Sequence, residues 1–359
     1  MTVQSIESSR VRAWVDVDLG ALRRNGELLA RHAGVPLLPM IKADAYGLGA
    51  AQVAHALEPL PLAGFGVATV REGEELRALG VQRPVLIFSP LTPADLMLAR
   101  HAGLTPTLGS AAAIAAWREQ GGGDWHLAID TGMHRAGVRW DAIGVLSDVL
   151  RAAPPAGAFT HFHSSELDDG SMEVQEQRFR DAVAALPARP AVLHADNSAA
   201  IARRSPCQWD VVRPGVFLYG VGSGAALQPE PVAHVRARVV ELRSVRAGES
   251  VSYDARWRAS RDSTIATIPL GYADGYRRSL SNVGAAILNG RSVRVAGNVT
   301  MDMTMLDVTD VPCAAGDIVT VMGRADAQLV TAEEVGAACG LSPYELLTGL
   351  RQRLPRVYG

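Results

Sequence analysis

Lys42 is the only lysine in a chain whose lysines and arginines together number 35. An arginine keeps its proton and cannot act as an amine nucleophile, whereas a lysine with a lowered pKa can form an imine with an aldehyde. Leu37, Leu38 and Ile41 precede this lysine as an apolar run typical of a buried strand, and a glycine-containing turn follows it. This setting favours a lysine that forms a Schiff base or contacts a phosphate over a leftover surface charge.

Further polar side chains follow predicted strands, where parallel barrels place their active sites. Tyr46 lies four residues after Lys42 and is either a hydrogen-bond donor to a group held there or an interface tyrosine. Arg135 suits a carboxylate, although a turn arginine is often only solvated. Ser198 opens a helix, as a phosphate contact or as part of a plain N-cap. Arg213 precedes a Pro-Gly turn, which either lets the backbone approach an anion closely or serves packing.

Other candidates carry a weaker signal. His161 and His163 alternate on a predicted strand and are expected to point the same way, but no third ligand with suitable spacing lies nearby, so we predict no metal site. Tyr253 and Tyr272 lie in turns of the C-terminal part. Such a tyrosine could exchange protons with a substrate only if that part covers a barrel mouth, and it is otherwise ordinary turn structure.

Composition excludes several classes of function. The net charge is −2 and no basic block occurs, which argues against nucleic-acid and membrane-surface partners. No apolar run has the length of a signal peptide or of a transmembrane helix. The three cysteines are widely spaced, which predicts a reducing cytoplasmic location without a disulfide framework.

The predicted fold is α/β with two domains. About eight strand–helix alternations in residues 12–235 favour a (β/α)8 barrel over an open sheet. They include a helix capped by Asp18, helices at 50–57 and 141–150, a short strand at 192–194 and a candidate last strand at 211–219. Residues 236–359 show short strands separated by Gly, Asp and Asn turns, which predicts a mainly-β domain closed by a helical tail with capping boxes at 331–334 and 342–345. A strand near residues 1–12 is a candidate to join that domain.

Together these segments resemble the alanine racemases, pyridoxal phosphate (PLP) enzymes of fold type III, from residues 14–19 to residues 354–358. The sequence Lys-Ala-Asp-Ala-Tyr-Gly-Leu-Gly at 42–49 resembles the cofactor motif of that family, which implies that Lys42 carries PLP as an imine. By the same resemblance Arg213 faces the pyridine nitrogen and His161 lies beside the ring. The implied phosphate contacts are Tyr46, Ser198, Gly215, Val216 and Tyr358.

The resemblance also implies how an amino-acid substrate is held. Arg135 corresponds to the arginine that contacts the phenolic oxygen of the cofactor and the substrate carboxylate. Tyr253 corresponds to the second catalytic base and Tyr272 to an entrance residue. Met301 contributes a backbone contact to the substrate carboxylate, supported by Asp302. Because the family takes these last four residues from the partner subunit, the resemblance implies a head-to-tail homodimer.

Racemisation needs an acid–base group on each face of the substrate α-carbon. By resemblance, Lys42 abstracts the proton of the D-enantiomer and Tyr253 that of the L-enantiomer. The pKa of a tyrosine that acts as a base must fall from about 10, which nearby positive charge can cause. Arg213 can only donate a hydrogen bond, so it is expected to leave the pyridine nitrogen unprotonated and thereby to disfavour transamination.

The chain departs from the family pattern at several positions. Ala128 stands where many relatives have a carbamylated lysine that orients the arginine, so we predict that a bound anion such as chloride, or a neighbouring side chain, orients Arg135 instead. His134 replaces a common glycine, and Asn298 replaces a common arginine. These changes leave substrate breadth open, whereas Tyr358, as a bulky wall, favours a small side chain.

The implied activity is interconversion of L- and D-alanine, which supplies D-alanine for peptidoglycan precursors. The alternatives are a serine or broad-specificity racemase, a non-catalytic PLP-binding protein and a PLP decarboxylase of the same fold type. A carrier consisting of the barrel alone would need neither a β domain nor Tyr253. The cysteine-containing second site expected of the decarboxylases is not evident, and the chain is short for that group.

Overall fold

The structure is a computed structural model that describes residues 11–224 and 227–359. Most of the strand predicted near residues 1–12 therefore lies outside the described residues. The strand that joins the β domain from the N-terminal side is β1 (Ala13–Val17). Within the described residues, no helix has both the length and the apolar character needed to cross a membrane.

The helix that follows β1 is α1 (Leu19–Ala33), which begins at the cap that its sequence predicts. The Asp18 carboxylate accepts a hydrogen bond from the Ala21 N–H at 2.7 Å, and this satisfies one of the free amides of the first turn. Gly34 ends the helix with φ +72°, a left-handed conformation that favours glycine.

A parallel barrel forms the N-terminal domain. Six of its strands pair in the order β2-β3-β4-β5-β7-β8, and the short β6 adds to β5. Leu37 closes the barrel through isolated parallel bridges to Leu62 and Val212. The predicted fold class is confirmed, although the first and last strand positions are bridges rather than continuous strands. The strands are β2 (Phe65–Val67), β3 (Val85–Ile87), β4 (Thr105–Leu108), β5 (His126–Asp130), β6 (Val138–Arg139), β7 (Gly157–Phe159) and β8 (Val192–His194).

Helices connect these strands, with three differences from the sequence prediction. The helix predicted at 141–150 is a 3-10 helix (Trp140–Leu146) that leads into an α-helix, with a break at Ala142. Residues 216–219 form a 3-10 helix instead of a strand, and the helix at 93–101 was missed. The helices are α2 (Ala50–Leu57), α3 (Val70–Ala78), α4 (Pro93–His101), α5 (Ala111–Glu119), α6 (Ser147–Ala152), α7 (Ser171–Ala184) and α8 (Ser198–Arg203).

The C-terminal domain is a sheet in the order β10-β13-β16-β15-β14-β17-β9-β1-β19, with β18 on β17 and a separate β11–β12 hairpin. The elements are β9 (Ala233–Arg238), β10 (Glu241–Val245), β11 (Ser250–Val251), β12 (Trp257–Arg258), β13 (Ser263–Ile268), β14 (Ala285–Leu288), β15 (Arg291–Val295), β16 (Thr304–Asp307), β17 (Ile318–Ala325), β18 (Gln328–Val330), α9 (Ala332–Cys339), α10 (Pro343–Thr348) and β19 (Arg356–Tyr358).

The helical tail predicted for this domain is only partly correct. Both predicted capping boxes are present, at Thr331 for α9 and at Ser342 for α10. The chain then returns to the sheet, because β19 pairs in parallel with β1, with Val17 opposite Tyr358. The two ends of the described chain therefore meet in one sheet, next to the barrel.

Candidate active site

Lys42 opens a turn whose backbone is unusual. Residues 43–46 all have φ between 53° and 56°, so four consecutive non-glycine residues are left-handed. For an L-residue this conformation costs about 1–2 kcal/mol, because Cβ approaches the following carbonyl oxygen. The glycine-containing turn predicted from the sequence is thus strained, and surrounding contacts have to hold it. We call residues 43–46 the left-handed turn.

Two cavities meet at Lys42. The first, the Ser198 cavity, has about 380 Å³ and also contains Tyr46, Arg213 and Val216. The second, the Ala128 cavity, has about 520 Å³ and extends over the ends of β3, β4 and β5. The residues common to both linings are Lys42, Phe88, Arg135, Phe159 and His161.

The Ser198 cavity has the features of a cradle for an anion. The Ser198 hydroxyl oxygen accepts hydrogen bonds from the N–H groups of Gly215 at 2.9 Å and Phe217 at 3.4 Å. The Val216 N–H begins a 3-10 helix and has no acceptor within the described residues. A Cβ on Gly215 would lie 2.7 Å from the Tyr46 hydroxyl oxygen, so glycine is needed to keep this space open.

Arg213 lines the Ser198 cavity. Its guanidinium is buried, and no carboxylate among the described residues forms a hydrogen bond with it. Nη1 donates to the carbonyl oxygen of His194 at 2.7 Å and to its Nδ1 at 2.9 Å. Nη2 donates to the carbonyl oxygens of Thr160 at 2.7 Å and Ala195 at 2.9 Å. These four bonds use the four Nη hydrogens, so Nε–H is the donor left for a ligand.

Three histidines adjoin this guanidinium and are neutral near pH 7. Burial, followed by the charge of Arg213, lowers the pKa of His126 to about 4 and that of His194 well below its usual range. His194 Nε2 lies 2.8 Å from His126 Nδ1, so a buried chain of two imidazoles continues outward from Arg213. Burial, Arg213, Arg135 and Lys42 lower the pKa of His161 to about 3. His161 therefore offers a neutral ring to the cavity.

The environment of Lys42 favours its neutral amine. Burial lowers the pKa of this lysine, and the charge of Arg135 lowers it further, while the Glu72 carboxylate partly opposes both effects. A larger fraction of the amine is therefore unprotonated at neutral pH than for an exposed lysine. That is the form that attacks an aldehyde or accepts a proton.

Arg135 has no hydrogen-bond acceptor within the part of the chain that the structure describes. The nearby Asp130 does not provide one, since its Oδ1 accepts from the N–H groups of Gly132 and His134, both at 3.0 Å. Its Oδ2 lies 3.2 Å from His134 Nδ1. The predicted neighbouring side chain that orients Arg135 is therefore absent, and the predicted anion remains the alternative. Ala128 lines the space where a longer side chain would reach this arginine.

Five predicted site residues lie outside the linings of these two cavities. Tyr253 (69% exposed), Tyr272 (41%) and Met301 (53%) project from turns of the β domain, and Asp302 is also exposed. Tyr358 is half-buried and turns its hydroxyl towards Gly49, where a Cβ would lie 2.1 Å from it. In a single chain these residues do not line the cavities at Lys42, and the predicted contact of Tyr358 with the phosphate and its role as a wall of the substrate site stay predictions.

Sequence reasoning missed groups that hold these features in place. Asn298, noted only as a departure, donates from Nδ2 to the Tyr253 carbonyl oxygen at 3.0 Å and to the Asp254 carboxylate at 3.1 Å. His194 was overlooked as a partner of Arg213, although it directly ends a predicted strand on the same barrel rim. The signal in both cases was a polar residue beside a glycine- or asparagine-containing turn.

The two histidines considered for a metal do not share a strand. β7 ends at Phe159, His161 faces the cavities, and the exposed His163 has its Nδ1 2.7 Å from the Ser164 hydroxyl. Across the described ranges, no group of three His, Cys, Asp or Glu side chains could hold a metal ion.

Comparison with known families gives matches over both domains. The family model "Alanine racemase, N-terminal domain" matches residues 17–223. The family model "Alanine racemase, C-terminal domain" matches residues 232–358. The two matches together cover the barrel and the β domain.

Individual relatives match over nearly their whole length. The chain is 37% identical over 373 residues to the alanine racemase of Sorangium cellulosum, which covers 96% of this chain and 98% of that one. The Carboxydothermus hydrogenoformans alanine racemase is 36% identical, with 96% and 99% covered. Among solved structures, the alanine racemase from Bartonella henselae with covalently bound pyridoxal phosphate has a TM-score of 0.90 at 29% identity, covering 97% of this chain and 100% of that one.

We expect Lys42 to react with an amine reagent at a lower pH in the folded apoprotein than in the same protein unfolded in urea. Its lowered pKa means that the amine loses its proton below the ordinary value of about 10.4. Since Lys42 is the only lysine, mass spectrometry of its peptide separates this reaction from that of the α-amine. Equal midpoints in the folded and unfolded protein would contradict the expectation.

Proposed function

Because the chain belongs to the alanine racemase family of isomerases, we propose that it interconverts L-alanine and D-alanine with bound pyridoxal phosphate, in active sites shared by two subunits. The product D-alanine is a building block for peptidoglycan precursors. One observation carries the proposal. The only lysine of the chain lines the same cavity as several hydrogen-bond donors that have no acceptor within the described residues.

The residues of the Ser198 cavity fit PLP. Lys42, with its lowered pKa, is suited to bind the aldehyde. The Tyr46 hydroxyl and the Val216 N–H have no acceptor within the described residues, and they would hold the phosphate together with the Ser198 hydroxyl. The Nε–H of Arg213 is the donor available to the pyridine nitrogen. The glycine at 215 leaves the room that a side chain would fill.

PLP, when bound, supplies an electron sink for the α-carbon of the amino acid. Lys42 would move a proton on one face, accepting it from the D-enantiomer. Tyr253 of the partner subunit would do so on the other face, for the L-enantiomer. The positive charges of Arg135 and Arg213 would favour the deprotonated phenol that this second role requires. Arg135 would hold the substrate carboxylate.

Arg213 would act as a donor that keeps its own proton. Burial lowers its pKa only to about 10, so the guanidinium stays charged in the working range of pH. An arginine has no acceptor, so a ring nitrogen facing Nε can only accept from it. A pyridine ring without a proton on its nitrogen would withdraw electron density less strongly, which favours return of the proton to the α-carbon over transamination.

A homodimer would complete the site. The side chains predicted to come from the partner are exposed in the single chain, on the turns that carry Tyr253, Tyr272 and Met301. Exposed tyrosine and methionine side chains are typical of protein interfaces. The Asn298 bonds to the turn of Tyr253 would hold that side chain ready to enter the second subunit.

A serine or broad-specificity racemase is the second candidate. The observation that favours it is the Ala128 cavity, which adjoins Lys42 and is open where a longer side chain at 128 would stand. The amino-acid class and the reaction are the same in both candidates.

We expect purified protein with PLP to racemise L-alanine and, more slowly, L-serine, with L-lysine slowest because the charge of Arg135, which lines the Ala128 cavity, repels its ammonium group. Lys42→Ala should abolish all turnover. Chiral chromatography of the products measures each rate. Full turnover in Lys42→Ala, or no conversion of L-alanine by the wild type, would overturn the proposal.

Shared sites predict complementation between two inactive variants. We expect Lys42→Ala and Tyr253→Ala each to be inactive alone, and a refolded equal mixture to regain about a quarter of wild-type activity, since half of the dimers would be mixed and each would hold one intact site. The mixture of Lys42→Ala with the double variant Lys42→Ala/Tyr253→Ala is the control. A mixture that stays inactive while forming mixed dimers would contradict a shared site.

The missing acceptor beside Arg135 predicts dependence on a small anion. Replacing chloride by the bulky gluconate at constant ionic strength should raise KM for alanine several-fold, since an unoriented Arg135 binds the carboxylate less well. Ala128→Glu would place a carboxylate in the same space and should remove the dependence on chloride, whereas Ala128→Gly should keep it. An unchanged KM in gluconate would refute the anion.

A further inference from the structure

Two side chains from distant parts of the fold hold the ends of the left-handed turn. Glu72 lies in the first turn of α3 and contacts the start of the turn at Ala43. Arg356 lies in β19 and contacts its end at Gly47. Neither residue lines the Ser198 or the Ala128 cavity, so any effect they have on Lys42 beyond the charge of Glu72, which raises the pKa of this lysine, passes through the backbone.

The Glu72 carboxylate binds three backbone amides. Oε1 accepts from the Ala43 N–H at 2.8 Å, and Oε2 accepts from the N–H groups of Ala68 at 2.7 Å and Thr69 at 3.1 Å. Two of these amides belong to the loop that leads from β2 into α3, which fixes the carboxylate to the barrel. Glu72 therefore anchors the residue next to Lys42 to a rigid element.

The Arg356 guanidinium binds only backbone carbonyl oxygens. Nε donates to Gly47 at 2.9 Å, and the two Nη atoms donate to Arg351 at 2.7 Å, Leu354 at 2.6 Å and Leu350 at 2.9 Å. Three of its four acceptors thus belong to the segment between α10 and β19. The planar fork of an arginine can satisfy these directions together, which an ammonium group cannot.

The turn also has hydrogen bonds of its own. The Ala45 N–H donates to the Ile41 carbonyl oxygen and the Gly49 N–H to that of Asp44, both at 2.9 Å, and Asp44 Oδ1 accepts from the Ala50 N–H at 2.7 Å. These bonds join residues close in sequence, so they do not fix the turn to the rest of the fold. Gly47, with φ +82°, is pressed against α10, since a Cβ there would lie 2.9 Å from the Leu347 carbonyl oxygen. Released from its two anchors, the backbone of residues 43–46 would relax towards right-handed conformations and would redirect Lys42 and Tyr46.

We propose that Glu72 and Arg356 are positioning residues for the site: by holding both ends of the left-handed turn, they set the directions from which Lys42 and Tyr46 enter the Ser198 cavity. Arg356 thereby contributes to cofactor retention without lining the cavity. The inference rests on the proposed function, because PLP is the ligand that Lys42 and Tyr46 would hold.

The first test measures PLP affinity from the absorbance of the bound cofactor. Arg356→Ala and Glu72→Gln should each raise the dissociation constant of PLP about tenfold or more, since a displaced Lys42 and Tyr46 no longer contact PLP in the correct geometry. Arg356→Lys should recover only part of the loss. The controls are Arg351→Ala, whose exposed side chain forms no hydrogen bond within the described residues, and Glu75→Gln, on the exposed face of α3. Both should bind as the wild type does.

The second test does not depend on PLP. Hydrogen exchange of the apoprotein should become faster at amides 43–50 in Arg356→Ala and Glu72→Gln, while amides of β9 and β17 keep their wild-type rates. Faster exchange throughout the sheet to the same extent would indicate a merely structural role and would overturn the proposal. So would unchanged exchange at 43–50, or wild-type PLP affinity in both variants.

These outcomes distinguish a failure of the positioning roles of Glu72 and Arg356 from a failure of the proposed function. A wild-type protein that takes up no PLP would end the proposed function, whereas the exchange pattern would still decide whether the two anchors hold the turn. A wild type that binds PLP, with variants that bind equally well, would leave the function intact and refute the positioning roles.

Discussion

The conformation of residues 43–46 is the constraint on which the site depends. Four L-residues in a row are held in a region that each of them disfavours, without a glycine or an asparagine among them. Such strain persists only where surrounding structure outweighs it. The barrel, α3, α10 and β19 all contact this segment or its flanks, so the placement of one amine requires both domains.

The electrostatics of the Ser198 cavity depend on the protein groups that surround its cations. Carbonyl oxygens and a neutral imidazole accept from both Nη atoms of Arg213, while no carboxylate in the described residues is bound to it. Burial lowers the pKa of three neighbouring histidines, and the charge of Arg213 lowers it further. Burial and the charge of Arg135 lower the pKa of Lys42 in the same way. A pocket of this kind favours anionic groups over positively charged ones.

The features that the sequence predicts correctly are local ones. The cap at Asp18, the helix at 50–57, the strand at 192–194 and the two capping boxes of the last helices depend on residues close in sequence. The short helix at 93–101 could also have been found, because Thr92, Pro93 and Asp95 form a capping box with proline in the first turn.

The features that the sequence does not predict depend on distant partners. Nothing in Ala-Asp-Ala-Tyr marks a left-handed path, since the groups that impose it lie 29 and 309 residues away. The His126–His194 contact joins residues 68 positions apart in the sequence. The pairing of β1 with β19 joins opposite ends of the described chain. Tyr358, which is assigned to the site by resemblance, lies beside Gly49 because β19 pairs with β1.

The bond between Gly47 and Arg356 also orders events during synthesis. A ribosome releases the segment around Gly47 long before it releases β19, because Arg356 follows Gly47 by 309 positions in the chain. The barrel can therefore assemble while the left-handed turn still lacks Arg356, one of its two anchors. Maturation of the pocket becomes a late event, after translation has delivered the strand that completes it.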